Sequence, residues 1–375
     1  MAKDYLDNRA KPDYKISLLT IGLSLFGLIM IASASVVVAY DNFKGANDYY
    51  YVWHQAIALL IGVVAMIFFS NIDYKGYKKI ALWIIAVAVL FLIIVFIPQI
   101  GVESKGAHRW INLGIVPFQP SEFAKVAFLI YLCTWLEARK EDLRRVEKSF
   151  LPLLLMLGAI SALIILEPDL GSLTVLILSS MVVFFAAGAP LWNFYSLGIF
   201  LAAIFAIFIR TSPYRWSRFL TFLNPAAESL GRSYHINQAF IAVGTGGLWG
   251  LGFGNSLQKL KYLPEPHTDS IFAIIAEELG FLRATLVIVA FVYLFFLGLR
   301  VAKKAPDTFG RLLAIGIVSS LVIQAFVNIA AMLGLVPLTG VTLPFISYGG
   351  SSLVISFIQI GILLNISRHA NSQIA

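Results

Sequence analysis

The sequence predicts an all-α integral membrane protein of ten transmembrane helices, with one large extracytoplasmic loop between the seventh and the eighth. Three observations predict it. Of 375 residues, 59% are hydrophobic and 13% charged, where soluble domains carry roughly 45–50% and about 25%. Apolar runs close to the roughly 20 residues that a bilayer-crossing helix needs recur from Lys15 almost to the C-terminus. Lys and Arg gather in alternate connections, the placement that membrane topology imposes.

The first run, 15–39, contains Ala32-Ser33-Ala34 and so has the outline of a secretory signal with its cleavage site. It is too long for a signal core of roughly 7–15 residues and continues through Val36 to Val38, so it is read as a span. Further spans follow near 53–71, 80–98, 119–137, 149–166, 171–188 and 191–209, then near 270–299, 310–334 and 347–368. Ten spans put both termini on one side. With that side cytoplasmic, 17 basic residues lie inside, in the segments holding Lys3 to Lys15, Lys75 to Lys79, Arg139 to Lys148, Arg300 to Arg311, and Arg368. Lys44, Lys105 and Arg109 oppose them in short outer loops. The long loop, about 210–269, carries six more, but the rule counts short loops only.

No polar block divides the chain, so 1–375 reads as a single polytopic domain. The formal charge of +8 is therefore topology, and it argues for contact with membrane lipids and not with nucleic acid. Cys133, the one cysteine, excludes an intrachain disulfide. The mixed-sign segment Glu137 to Lys148 reads as a solvated cytoplasmic connection, with partner binding as the minority reading.

Several stretches carry chemistry. In Lys261 to Gly280, the residues Glu265, His267, Asp269, Glu277 and Glu278 crowd the mouth of an apolar helix. Asp269 and Thr268 precede the helix, so an N-cap is the bland alternative. Asp269, Ala273 and Glu277 follow at four-residue spacing on one helix face, and a pocket that raises a carboxylate's pKa turns it into a general base. Glu122 and Lys125 follow Gln119-Pro120-Ser121 three residues apart, on one face, able to neutralise each other. Charges at membrane depth line cavities or pathways, and the alternative is a buried structural pair.

Arg215 and Arg218, in Pro213-Tyr214-Arg215-Trp216-Ser217-Arg218, suit either snorkelling to headgroups or a bidentate clamp on phosphate. The glycine run Gly244 to Gly254 has no P-loop Lys-Ser/Thr pair, and Trp249 breaks the dinucleotide spacing, so it reads as tight turns and close backbone packing. Glu167-Pro168-Asp169 reads as a link with Asp169 as N-cap. The Pro-, Gly- and hydroxyl-rich stretches 336–340 and 343–352, with Ser347, read as a cavity-lining loop.

Arg109-Trp110-Ile111, Gln119-Pro120-Ser121-Glu122 with Lys125, Tyr262 to Asp269, Glu277-Glu278-Leu279-Gly280 and Leu343 to Ser352 together resemble the SEDS family of bacterial cell-wall polymerases, whose branches are typified by FtsW and RodA. The resemblance covers nearly the whole chain. It implies a peptidoglycan glycosyltransferase that polymerises lipid II on the outer face of the bacterial cytoplasmic (inner) membrane, beside a class B penicillin-binding protein and other divisome or elongasome proteins. Asp269 would be its catalytic residue, Glu122 and Lys125 would line the same cavity, and Arg109, Arg215, Arg218, His267 and Ser347 join the substrate-binding candidates. No metal ligand set is discernible, although a divalent cation (Mg or Mn) on the pyrophosphate is compatible with the chemistry.

Ser256, Gln258-Lys259-Leu260 and Tyr262 to Pro266 favour the division branch over the RodA-type elongation branch. Two residues depart from the family pattern: Arg283, where a small residue is usual and which inside a span must snorkel, face the cavity or pair, Glu277 and Glu278 being the candidate partners, and Glu167, where glutamine is usual. Two rivals stay open, a lipid II flippase or transporter and a non-catalytic scaffold for the transpeptidase.

Overall fold

The computed structural model describes residues 11–44, 47–97, 99–104, 107–112, 117–143, 147–190 and 233–372, with only residues 192, 195, 198, 210 and 216 between 191 and 232. The predicted seventh span, 191–209, and most of the predicted loop before 233 lie outside the described residues, as do Arg215 and Arg218. Ten helices are described: α1 (Tyr14–Phe43), α2 (Tyr50–Asn71), α3 (Lys75–Ile94), α4 (Pro120–Ala138), α5 (Phe150–Leu166), α6 (Leu170–Ala186), α7 (Tyr234–Gly246), α8 (Ile271–Lys304), α9 (Thr308–Met332) and α10 (Gly350–Ser372).

Nine of these coincide with predicted spans, because the length of an apolar run is read directly from sequence. Six of them (α1, α2, α3, α8, α9 and α10) are long and apolar enough to cross a membrane. The tenth, α7, falls inside what the sequence suggests is loop; it is short and buries only a thin face. A second difference is a three-stranded antiparallel sheet between α3 and α4, made of β1 (Gly101–Ser104), β2 (Ala107–Asn112) and β3 (Pro117–Phe118). Its Gly, Pro and polar content carries no alternating apolar pattern, so nothing in the sequence announces it.

The bundle is centred on α9 and α10, whose apolar stretches are 78% and 83% buried, against 22% for α2 and α3. The outer faces of α2 and α3, with Leu60, Phe68, Leu82 and Trp83 exposed, are what a lipid environment covers. One end gathers the N-terminus of α1, where Asp13 N donates to Ser367 Oγ, together with Tyr74, Asp307 and Asn365 and the ion pair Lys78–Glu137 at 2.6 Å. The segments predicted to be inside therefore converge on one end. The opposite end gathers the sheet, the 167–169 link, the 261–270 segment and the loop 333–349.

Helix α8 is broken at Gly280, which adopts φ 79° and ψ 175°. A break strands carbonyls and amides that must find partners, and the glycine segment supplies them. Leu251 N and Gly252 N donate to Glu277 O and Glu278 O, while Phe281 N and Leu282 N donate to Gly247 O and Leu248 O. Only glycine tolerates this approach: a Cβ on Gly246 would stand 2.0 Å from Ala276 O, and one on Gly280 2.3 Å from Gly250 N. The glycine run is thus a backbone splint for a broken helix.

Candidate active site

The start of α4 brings the first two candidates together. Pro120 opens the helix, and Glu122 and Lys125 point into the bundle, Lys125 with no exposed surface. Lys125 Nζ donates to the Glu122 carboxylate at 2.8 Å and to Gln324 Oε1 on α9 at 2.6 Å. Gln324 Nε2 in turn reaches Thr342 O at 3.2 Å and Ser352 Oγ at 3.3 Å. The pair neutralises itself as its spacing predicts, and its network runs on to the loop before α10.

Asp269 is half-buried on a segment of turns. Helix α8 begins at Ile271 with Ser270 in the capping position, and no side chain caps it. This corrects the expectation of a single helical face through Asp269, Ala273 and Glu277, and it also removes the N-cap alternative. The segment is held by Ser270 Oγ, which donates to Pro264 O at 2.8 Å and lies 2.7 Å from His235 Nε2. Lys261 (φ 73°) and Glu265 (φ 50°) take left-handed conformations in it, as Phe345 (φ 66°) does in the neighbouring loop. Such residues cost about 1–3 kcal/mol each and persist where the surroundings over-determine them.

On α9, one turn from Gln324, Asn328 Nδ2 donates to Asp269 O and to Val341 O, both at 2.7 Å. Gly340 passes close by, since a Cβ there would stand 3.9 Å from Asp269 Oδ2.

The remaining candidates are placed by packing. His267 is buried, its ring 4.4 Å from Tyr51 and 5.5 Å from Tyr348, and its carbonyl accepts from Tyr348 N. Ser347 Oγ accepts from Leu343 N at 2.8 Å and so closes the turn 343–347, which Gln55 on α2 clamps through Ser347 O and Gly349 N. Arg109 on β2 donates to Glu167 O at 2.8 Å and Pro168 O at 2.6 Å, anchoring the sheet to the link.

Asp169 does cap α6, accepting from Ser172 N at 3.0 Å, and its other oxygen accepts from Gln119 and Ser121. Glu167 is fully buried, and its carboxyl finds no hydrogen-bond partner among the described residues. Burial, and secondarily Asp169, push it up to about 9 against the pull of Arg109. It is therefore a neutral acid at pH 7, which answers the charge question its position raises.

Glu277 and Glu278 belong elsewhere. Glu277 accepts from Ser256 Oγ and Leu257 N, and Glu278 pairs with Lys259 at 2.9 Å and accepts from Ser33 at 2.7 Å. Of the alternatives open to Arg283, pairing with Glu277 or Glu278 is not the one found. Arg283 is exposed, and its Nη1 donates to Trp249 O at 3.2 Å. Among the described residues no group of three or more His, Cys, Asp or Glu is placed to hold a metal ion. Sequence reasoning missed Gln324, Asn328 and Gln55; the signal was two amides four residues apart in an otherwise apolar span.

A family model described as "Cell cycle protein", which covers FtsW, RodA and SpoVE, matches residues 14–372. The chain is 39% identical over 362 residues to "Stage V sporulation protein E" of Bacillus subtilis, covering 96% of this chain and 98% of that one. It is 38% identical over 355 residues to "Probable peptidoglycan glycosyltransferase FtsW" of a Geobacter species, covering 95% and 96%. Among solved structures, one reported under the structural coordination of polymerization and crosslinking by a peptidoglycan synthase complex superposes with a TM-score of 0.79 at 27% identity, over 96% and 98% of the two chains. The rod shape determining protein RodA of Thermus thermophilus superposes with a TM-score of 0.70 at 28% identity, over 95% and 97%.

Proposed function

The chain belongs to the FtsW, RodA and SpoVE family of cell cycle proteins, and from that premise we propose that it is an FtsW-type peptidoglycan glycosyltransferase that polymerises lipid II, with Asp269 as general base. The glycosyltransferase activity follows from relatives named for it at 38% identity over nearly their full length. One observation carries the site: the main chain of the half-buried Asp269 and the side chain of the fully buried Lys125 are both tied to one face of α9.

In the proposed reaction the acceptor sugar's 4-hydroxyl attacks the anomeric carbon of the donor. Asp269 takes the hydroxyl proton as the bond forms, and the bond to the lipid pyrophosphate breaks on the opposite face, so an α-linked donor gives a β-linked strand. Pyrophosphate leaves without a general acid and needs only positive charge. Arg109, Arg215 and Arg218 are the candidates to supply it, with Lys125 setting the local field. One carboxylate then suffices, unlike the pair in typical glycosidases. No step is routed through a divalent cation.

The same reading keeps ten spans, with the seventh over 191–209, both termini cytoplasmic, and chemistry at the outer end of the bundle in the cytoplasmic membrane. Likeness to a complex that polymerises and crosslinks supports a class B penicillin-binding protein as partner. Purified protein given lipid II tests the proposal. Asp269→Ala is expected to abolish glycan strands while folding and partner binding persist. Full polymerisation by that variant refutes Asp269 as the base, whereas absence of polymerisation by the wild-type chain returns the flippase and scaffold readings.

A further inference from the structure

We infer that Gln324 and Asn328, two buried amides one turn apart on α9, are positioning residues that set the separation of Lys125 from Asp269. The inference rests on the reading of Asp269 as the base. Four residues of an unbroken helix rise about 6 Å, so α9 acts as a fixed rule between the two loci it touches.

The amides work with opposite polarity. A carboxamide carries one acceptor oxygen and a two-donor nitrogen. Gln324 turns its oxygen to the Lys125 ammonium at 2.6 Å, which directs its nitrogen to Thr342 and Ser352. Asn328 turns its nitrogen to two carbonyls, Asp269 O and Val341 O, each at 2.7 Å. Flipping either amide sets like against like: donors against an ammonium at Gln324, an oxygen against two carbonyls at Asn328. Each orientation is therefore determined by its neighbours.

Two features separate this from ordinary packing. Asn328 grips the main chain of Asp269 and joins it to the loop that passes beside the carboxylate at Gly340, so it fixes where the carboxylate sits without taking its proton-accepting oxygens. Its own Oδ1 is buried without a hydrogen-bond partner among the described residues. An unsatisfied buried acceptor is destabilising, and an apolar side chain at this position of α9 would avoid that penalty. Asn328 thus retains a destabilising group in return for holding the base.

Lipid II polymerisation by the purified full-length chain, with kcat and KM resolved separately and the thermal midpoint recorded, tests this. Displacing a reacting group by about 1 Å costs on the order of 100-fold. Asn328→Ala is accordingly expected to lower kcat by about 10- to 100-fold with KM for lipid II within about twofold, because loss confined to kcat marks an interaction made in the transition state. Asn328→Ser, which keeps one donor, is expected to fall between wild type and Asn328→Ala, and it carries the test if the alanine variant does not fold. Gln324→Ala is expected to lower kcat in the same way.

Unchanged kcat in the folded Asn328 variants, or a loss confined to KM, overturns the positioning role. If Asp269→Ala is inactive in the same assay, the base reading survives that outcome. An active Asp269→Ala removes the reading beneath the inference, so the two failures are distinguishable.

Discussion

Two buried ion pairs in this protein, Lys259 with Glu278 and Lys125 with Glu122, are alike in geometry and differ in where their networks lead. Lys259 Nζ bonds to Glu278 at 2.9 Å, Ser33 Oγ at 2.9 Å and Gly254 O at 2.6 Å. All three ammonium donors are matched, and the circuit closes on itself through Ser33. It ties α1 to the splint at the α8 break. Lys125 bonds to Glu122 and Gln324, and that network continues to Thr342 and Ser352, with Gln324 one helical turn of α9 from the Asn328 that holds the main chain of Asp269. The first network is confined to the splint, while the second lies beside the proposed site.

Double replacements test this contrast most severely. Lys259→Ala leaves Glu278 buried and unpaired, a loss of about 3–5 kcal/mol, seen as a collapse of the thermal midpoint in detergent. Replacing both partners, Lys259→Met with Glu278→Gln, is expected to recover stability and polymerisation together. The matching pair, Lys125→Met with Glu122→Gln, is expected to recover stability and leave polymerisation lost. If both doubles behave alike, the distinction between the two circuits fails.

Gly280→Ala probes the splint that the first circuit supports. It forces φ 79° on an alanine against backbone at 2.3–2.7 Å, and an expected loss of roughly 1–3 kcal/mol is measured by thermal unfolding. Asp169→Ala removes the α6 cap and is expected to cost about 1 kcal/mol by the same measurement.

The mildest change is Glu167→Gln. The folded protein holds Glu167 protonated up to about 9, while the unfolded chain releases that proton near the ordinary carboxylate pKa of about 4.3. Between those values the native state binds more protons, so stability falls as pH rises. The glutamine variant is expected to lose that part of the slope between about pH 5 and 9 and to match wild type at the acid end. An unchanged slope means Glu167 is ionised in the fold.

Nine helices were legible because each follows from an apolar run, and Glu122 with Lys125 because three-residue spacing is a local property. What stayed hidden depends on distant partners. Glu278 meets Ser33 across 245 residues of sequence, and no local pattern separates it from Asp269, nine residues earlier in the same charged stretch. The setting of His267 was hidden in the same way, since its ring packs against Tyr51 and Tyr348 from distant parts of the chain. The periodic reading carried Asp269 into a helix that starts two residues later, since Pro264, Pro266 and the left-handed Glu265 hold that stretch in turns.

We propose that Asp269 serves the reaction and not the fold. Asp269→Asn keeps the size and the main-chain bond to Asn328 and removes only the basic oxygen. Glycan synthesis from lipid II and the thermal midpoint, measured on one preparation of that variant, decide the matter. Loss of synthesis at an unchanged midpoint is the expected result, and synthesis at the wild-type rate contradicts it.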